Sequence, residues 1–379
     1  MFGVIAGSML LLISAFLFWN ATKVQSIMHI SAGEIARFQS HSDAGCSETS
    51  PEKTLAFQHS LGFFDDINDK EWREIYQPRA RSTVHYQSPG NPNLNSQNAA
   101  FWLFFNQEPA FNCPHLFKVG GLGDGPKWTC DPERLAKQVQ RRKMADPGSK
   151  ESKCLVYSIG SNGNYRFEDG LYSMLGKDCE VHIFDFGNFG KNPDLLKTKN
   201  MFYHQIGLKS SYDDQYQQVI NNPDKEWLTF QEIRKKLGHE HRPLDIFKID
   251  CEGCEWHTFK DWIKEDIRQI LIETHELPFT HIQRQTEFGL FPQMGADEYF
   301  DAFEANNFVM FAKEINSPNW DGIGGRCSEW SYIKMAPEFL GERHSNPVSV
   351  RGVRNGKIVN LSIRRSSAIN AKLNSVSLK

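Results

Sequence analysis

Glycines and a carboxylate follow two consecutive apolar segments of this chain, a combination with which proteins bind nucleosides. The apolar run CLVYSI is followed by Gly160, Ser161, Asn162 and Gly163, and the run EVHIF is followed by Asp185. Glycine lets a backbone approach a ligand closely, and a carboxylate at the end of the next strand can accept hydrogen bonds from ribose hydroxyls. We therefore predict a nucleoside site here. The alternative is an ordinary turn with a capping aspartate.

Acidic residues and a histidine follow two further apolar segments, and these residue types move protons. Asp250 and Glu252 come after the run DIFKI, and His275 closes the segment QILIETH. Because an imidazole titrates near neutrality, we predict that His275 takes a proton from an acceptor, with Asp250 and Glu252 as further catalytic residues. Two alternatives stay open: Asp250 caps the next helix, or the three residues hold a divalent metal. We expect no metal.

The glycine turn also indicates which kind of nucleoside is bound. It lacks the full G-x-G-x-x-G spacing, and it has no adjacent basic residue to pair with a pyrophosphate. This favours a ligand without phosphates, such as S-adenosylmethionine, over NAD(P). Asp250 follows a predicted strand of the same sheet, so we expect it to face the reactive methyl group as well as the cofactor.

The elements that must position these residues alternate between strands and helices. Period-two and apolar runs predict strands at 154–159, 180–186, 201–206, 245–250, 269–273, 308–311 and 332–335, with helices at 166–175, 229–237, 256–263 and 297–306. Alternation of this kind is typical of α/β proteins. We predict a Rossmann-like, doubly wound, mostly parallel sheet with an antiparallel edge strand.

Composition excludes several classes of protein. The 379 residues include 43 Lys+Arg and 46 Asp+Glu, for a formal charge of −3, and 40% are hydrophobic. These values are ordinary for a globular protein, and they exclude wholesale disorder and a collagen-like fibre. A nucleic-acid partner is not expected either, since such proteins usually carry a basic domain or stripe.

The N-terminus predicts a membrane anchor. Residues 1–22 carry no charged side chain and are long enough to span a bilayer, whereas a cleaved signal peptide would need a basic start. We expect an uncleaved signal anchor, a stem at 23–100, a catalytic α/β domain at 101–340 with its core at 154–335, and a basic, disordered tail at 341–379. This predicts a single-pass membrane protein of the secretory pathway, in the ER or Golgi with a lumenal domain, and alternatively a secreted one.

The run from Cys154 to about Met335 resembles the class I S-adenosylmethionine-dependent methyltransferases. More closely, it is similar to the FkbM-type branch, in the subgroup that includes methyltransferase-like protein 24. The carriers are VYSIGSNG at 156–163, IFD at 183–185 and above all FKIDCEGCE at 247–255, with DGPKWTCD at 124–131 as a further match. The resemblance covers roughly half to three fifths of the chain, and its FKIDCEGCE motif is fairly specific.

The resemblance implies S-adenosylmethionine bound at Gly160, Gly163 and Asp185, and methyl transfer to an oxygen or nitrogen of an acceptor. The acceptor class is open: a small molecule, a glycan or a protein. Since 154 and 179 begin neighbouring parallel strands of the implied fold, Cys154 and Cys179 are candidates for a disulfide.

A second candidate disulfide joins Cys113 and Cys130. The eight cysteines fit an oxidising compartment. Two rival functions remain from the sequence alone: a secretory-pathway glycosyltransferase with a metal and a sugar nucleotide, and a methyltransferase-like interaction module without catalysis.

Overall fold

The computed structural model describes residues 53–76, 107–149, 153–190, 193–214, 216, 224–275, 296–315 and 327–340, and the backbone of short strands within 285–290 and 348–363. The chain divides into two units, Met1–Glu52 and Lys53–Lys379, and all described residues belong to the second. The predicted anchor at 1–22 and much of the predicted stem therefore lie outside the described residues. Among the described helices, none has both the length and the apolar character needed to cross a bilayer.

Seven strands form one mixed sheet, and they are β3 (Cys154–Ile159), β4 (Cys179–Phe184), β5 (Met201–His204), β8 (Leu244–Ile249), β9 (Ile267–His275), β12 (Phe308–Ile315) and β13 (Cys327–Lys334). Their order in the sheet is β12-β13-β9-β8-β3-β4-β5. The pairs β3–β4, β4–β5, β3–β8 and β8–β9 are parallel. The strands β3 and β8 are buried along their whole length, as expected for central strands covered on both faces.

The antiparallel strand is β13, and its place differs from the prediction. It pairs antiparallel with both β9 and β12, so it lies one position inside the edge, and β12 is the edge strand. The chain runs from β9 through a helix to β12, which lies two positions from β9 in the sheet. The returning strand β13 fills the position between them. The predicted hairpin between the last two strands of the domain is confirmed.

Helices cover both faces of the sheet and enclose two apolar clusters. They are α1 (Leu55–His59), α2 (Asp69–Glu71), α3 (Pro132–Ala145), α4 (Arg166–Leu175), α5 (Pro193–Thr198), α6 (Phe230–Leu237), α7 (Cys254–Trp262) and α8 (Ala296–Ala305), with a π-helix at Trp72–Tyr76. Local sequence sets some of these bounds. Thr229 and Glu232 form a capping box at the start of α6, and Gly238 ends that helix in the left-handed conformation.

The chain forms a hairpin before the sheet, and the sequence did not predict this hairpin. Strands β1 (Leu116–Val119) and β2 (Lys127–Cys130) pair antiparallel across the glycine-rich turn at 120–125. Single strands of four residues carry little periodicity, which explains the miss. Disulfides Cys113–Cys130 and Cys154–Cys179 are both present, as predicted.

Four further short strands lie outside the main sheet. The strands β6 (Ile206–Leu208) and β7 (Glu226–Leu228) pair parallel, whereas β10 (Gln285–Thr286) and β11 (Gly289–Leu290) pair antiparallel.

The basic tail contains a hairpin where the sequence analysis expected disorder. Strands β14 (Val348–Arg354) and β15 (Lys357–Ile363) pair antiparallel, with Arg354 opposite Lys357. The residues between them in the sequence are Asn355-Gly356, the pair most typical of a two-residue hairpin turn, and β-branched residues flank it. The low content of large apolar residues concealed this local signal.

Candidate active site

A cavity of about 310 Å³ opens at the carboxyl ends of the central strands. It lies where β3 and β8 adjoin, which is the switch point of the sheet because the chain proceeds from β3 to one side and returns through β8 to the other. Ile159 is in register with Ile249 and with Phe184, so the residues after these three positions meet at one edge. Ligands of open α/β sheets bind at such a point.

The glycine turn forms one wall of this cavity. The Gly160 N–H donates to the Phe184 carbonyl oxygen at 2.8 Å, and Lys248 Nζ donates to the Gly160 carbonyl oxygen. Gly160 has φ +74°, and a Cβ at this position would overlap the Asp250 carbonyl oxygen. Only glycine therefore fits between the ends of β4 and β8. Ser161 and Asn162 line the cavity beside it.

Asp185 fastens the glycine turn from the neighbouring strand. Its Oδ2 accepts the N–H groups of Ser161 and Asn162, each at 2.9 Å, and its Oδ1 accepts the Gly187 N–H at 2.8 Å. The side chain lines the cavity although the residue is buried. A carboxylate oxygen has two lone pairs, so Oδ1 keeps capacity for a ligand hydroxyl.

An aromatic surface faces the glycine turn. Phe186 and Trp227 stack with ring centroids 5.6 Å apart and planes 21° apart, and Tyr216 lines the same side. Gly207 lies opposite Trp227 in the β6–β7 pair, and a Cβ at Gly207 would overlap the indole ring. Trp227 Nε1 is a buried donor without a hydrogen-bond partner among the described residues. The aromatic surface suits contact with a planar ring.

Acidic groups form the floor of the cavity, and two lysines pair with them. Asp250 and Glu273 line it, and Lys127 Nζ lies 3.3 Å from Asp250 Oδ2 and 2.6 Å from Glu273 Oε2. Lys248 Nζ is 3.5 Å from Asp250 Oδ2. Burial raises the pKa of Asp250, but the ammonium groups of Lys127 and Lys248 outweigh it and lower the pKa well below the usual range. Burial and then the Asp250 charge raise the pKa of Glu273.

His275 lies among carboxylates. Its Nδ1 is 3.2 Å from Glu255 Oε1, and its Nε2 is 3.4 Å from Glu252 Oε2 and 3.9 Å from Asp250 Oδ1. Burial lowers the pKa of His275, yet hydrogen bonds with Cys327 and Glu255 and the Asp250 charge raise it well above its ordinary value. These neighbours favour the protonated form of the imidazole.

A disulfide closes the turn between the floor and α7. Cys251 and Cys254 are joined, and both line the cavity. Glu252 between them has φ +57°, and Gly253 begins α7 as its N-cap. Asp250 is thus not the cap of this helix, which removes one alternative interpretation of that residue. This disulfide was not predicted from the sequence.

Most of the predicted site residues meet at the cavity. The members that line it are Gly160, Ser161, Asn162, Asp185, Asp250, Glu252 and His275. Gly163 does not line it and lies beside Phe189 instead, with φ +73°. The chemical roles of the predicted site residues stay predictions.

Sequence reasoning missed the aromatic surface and Lys127. Phe186 had a signal, because it directly follows Asp185. Lys127 lies in the segment DGPKWTCD that supports the family resemblance, but nothing in that segment predicted its role. Trp227 had no comparable signal, since it lies on a short strand far from the glycine turn in sequence. Both residues reach the site only through tertiary packing.

The chain matches the family model described as "Methyltransferase domain" over residues 54–334. This match spans most of the chain, so the protein belongs to this family of methyltransferase domains. No curated protein matches the sequence. Family membership favours the methyltransferase interpretation over the glycosyltransferase alternative.

Solved structures with a similar fold include several methyltransferases. The chain is similar to the 1,6-didemethyltoxoflavin-N1-methyltransferase of Burkholderia thailandensis, solved with 1,6-didemethyltoxoflavin and S-adenosylhomocysteine, at 12% identity and TM-score 0.31 over 54% of this chain and 79% of that one. It is also similar to Aeropyrum pernix fibrillarin, solved with S-adenosyl-L-methionine, at 9% identity and TM-score 0.28 over 58% of this chain and 86% of that one.

Proposed function

We propose that this protein is an S-adenosylmethionine-dependent methyltransferase that acts on a hydroxyl or amine of its acceptor. One observation carries the proposal: the glycine turn after β3 and Asp185 after β4 converge on a single cavity at the switch point of a methyltransferase-family domain. Doubly wound sheets bind their ligands at this point.

The residues around the cavity suit the parts of S-adenosylmethionine. Phe186 and Trp227 offer a flat surface for the adenine ring. Asp185 offers a carboxylate oxygen to the ribose hydroxyls. When bound, the cofactor supplies an electrophilic methyl group on a sulfonium centre. The acidic floor formed by Asp250 and Glu273 is complementary to that positive charge.

Proton transfer from the acceptor needs a base that is unprotonated at working pH. His275 is held as an imidazolium by its carboxylate neighbours, so we assign it to hydrogen-bond donation and orientation. Glu273 lines the cavity, and its raised pKa suits it to receive a proton near neutrality. Asp250 stays ionised beside it and favours the cationic cofactor, and Glu252 orients His275.

We further propose that the protein belongs to the FkbM-type branch, in the subgroup that includes methyltransferase-like protein 24. The support is the segment FKIDCEGCE, whose Asp250, Glu252 and Glu255 surround His275. The acceptor that we propose is a small molecule, a glycan or a protein rather than a nucleic acid.

The proposed location is the secretory pathway, with residues 1–22 as an anchor and the domain in the lumen. The support is the uncharged N-terminal run and three disulfides among the described residues. Protease protection of the domain in intact microsomes, together with resistance to alkaline extraction, is the expected result. A protease-sensitive domain would contradict the lumenal arrangement.

Calorimetry with S-adenosylmethionine and S-adenosylhomocysteine tests the cofactor assignment. We expect the protein to bind both, and Asp185→Asn to weaken binding about tenfold, equivalent to about 1.4 kcal/mol. Asp169→Asn is the matched control, because Asp169 pairs with Lys199 outside the cavity and is half exposed. Absence of binding by the unaltered protein would favour the non-catalytic interaction module.

A further inference from the structure

Lys127 reaches the proposed active site from outside the seven-stranded sheet. It lies on β2, and its Nζ is 2.6 Å from Glu273 Oε2, 3.1 Å from Glu329 Oε1 and 3.3 Å from Asp250 Oδ2. The side chain is 1% exposed. One buried ammonium therefore contacts three carboxylates that come from the ends of β8, β9 and β13.

The strand that carries Lys127 is fixed on both sides. The Cys130 N–H donates to Gln269 Oε1 at 2.9 Å, and Gln269 Nε2 donates to the Cys130 carbonyl oxygen at 2.7 Å. Ser331 Oγ donates to the Trp128 carbonyl oxygen at 2.8 Å. These bonds tie β2 to β9 and β13, so the Lys127 side chain has a defined position under the cavity floor.

Neighbouring carboxylates at this depth need a cation, because an unpaired buried charge costs several kcal/mol in free energy. The titratable groups around Asp250 and Glu273 come from several elements, and they are Lys127 on β2, Lys248 on β8, His275 on β9, Cys327 and Glu329 on β13, and Glu252 and Glu255 around the start of α7. Among these cations, Lys127 contacts both Asp250 and Glu273.

We propose that Lys127 is a positioning residue of the active site, which orients the carboxylates of Asp250 and Glu273 and sets the pH range in which Glu273 is negatively charged. This inference rests on the proposed function, because it gives Lys127 its role through a cavity that binds S-adenosylmethionine. The residue does not line the cavity, so it acts through the two carboxylates that do.

Infrared titration of the cofactor-free protein tests the electrostatic part directly. The carboxylic acid band of Glu273, identified by its loss in Glu273→Gln, reports protonation. We expect Lys127→Met to move the midpoint of this band upward by at least about one pH unit, the effect of losing one neighbouring charge. Lys127→Arg should restore the original midpoint. An unchanged midpoint in a folded Lys127→Met protein would overturn the proposal.

Lys118→Met is the matched control. Lys118 lies on the same hairpin and pairs with Glu314 at 2.7 Å, with 9% of its side chain exposed, but it contacts neither Asp250 nor Glu273. It should leave the Glu273 midpoint unchanged. If Lys127→Met fails to fold, Lys127→Gln replaces it, because glutamine removes the ammonium charge and keeps a hydrogen-bond donor for the carboxylates, and the same upward shift is expected in it.

Cofactor binding separates this inference from the proposed function. S-adenosylmethionine binding should weaken as the pH falls, and in Lys127→Met this weakening should occur at a pH at least about one unit higher than in the unaltered protein. Binding of S-adenosylhomocysteine, which lacks the sulfonium charge, should respond less. If the unaltered protein binds neither molecule, the proposed function fails, and the infrared midpoint still decides whether Lys127 controls Glu273.

Discussion

Gly160 packs against the carbonyl oxygen of Asp250 so closely that no side chain fits between them. The contact joins the end of β3 to the end of β8, and the Asp250 N–H donates to the Ile159 carbonyl oxygen at 3.1 Å in the same place. One glycine therefore allows the close approach of the two strand ends that form the cavity. Gly160 is needed for this packing as well as for its backbone conformation.

Replacing this glycine should damage both stability and binding. Gly160→Ala is expected to lower the free energy of unfolding by about 1–3 kcal/mol because of overpacking, and to abolish measurable S-adenosylmethionine binding because the turn must move. Gly176→Ala is the control, since Gly176 also has a positive φ of +63° but no atom within 4 Å of the added Cβ. Chemical denaturation and calorimetry provide the two measurements. Equal effects of both substitutions would contradict the packing role.

The indole ring of Trp227 provides a separate test of the adenine surface. Trp227→Phe replaces the indole with a smaller ring, so less flat surface is left for the adenine ring and binding should weaken by about 1 kcal/mol. Trp128→Phe is the control, because Trp128 is not among the residues that line the cavity and its Nε1 donates to Glu314 Oε2 at 2.5 Å. That variant should lose stability and keep its affinity. Unaltered affinity in Trp227→Phe would remove the indole from the ligand site.

Acid should destabilise the protein through two histidines, of which His239 is buried and His204 is partly buried. Burial, followed by the neighbouring His182, lowers the pKa of His204 and of His239 from 6.5 to about 4. The unfolded chain therefore binds more protons between about pH 6.5 and about pH 4, and stability falls as the pH falls through this window.

The variant His239→Gln should flatten this part of the stability profile. Thermal unfolding at several pH values compares this variant with the unaltered protein. His115→Gln serves as the control, because His115 is exposed. Parallel profiles for His239→Gln and the unaltered protein would rule His239 out as a source of the acid sensitivity.

Two of the disulfides should differ in how they affect stability and cofactor binding. Cys154–Cys179 joins the starts of β3 and β4, away from the cavity, and its removal by a double alanine substitution should cost about 3 kcal/mol of unfolding free energy with little change in affinity. Cys251–Cys254 encloses a far shorter loop and lines the cavity. Its removal should change cofactor affinity more than stability. Calorimetry and denaturation of both double variants decide this.

The sequence predicted the elements whose local pattern is strong. The strand Cys154–Ile159 and the helix Arg166–Leu175 have the predicted bounds, because a continuous apolar run and an amphipathic repeat depend on neighbouring residues alone. The strand ending before Asp185 and the strand ending before Asp250 were also predicted, within one or two residues at each end. Their shared edge in a parallel sheet then brought the glycine turn and both aspartates together.

Tertiary structure alone decided the chemistry of the floor. Asp250, Glu273 and His275 could be placed at strand ends from sequence, but their protonation depends on Lys127, Lys248 and Glu255, which approach from other elements. A pKa responds to every charge within several ångströms and to burial, and neither quantity is encoded in a local pattern. For the same reason, the sequence predicted several of the polar groups at the strand ends, whereas only the fold decided the burial and the neighbouring charges that together raise the pKa of Glu273 and of His275.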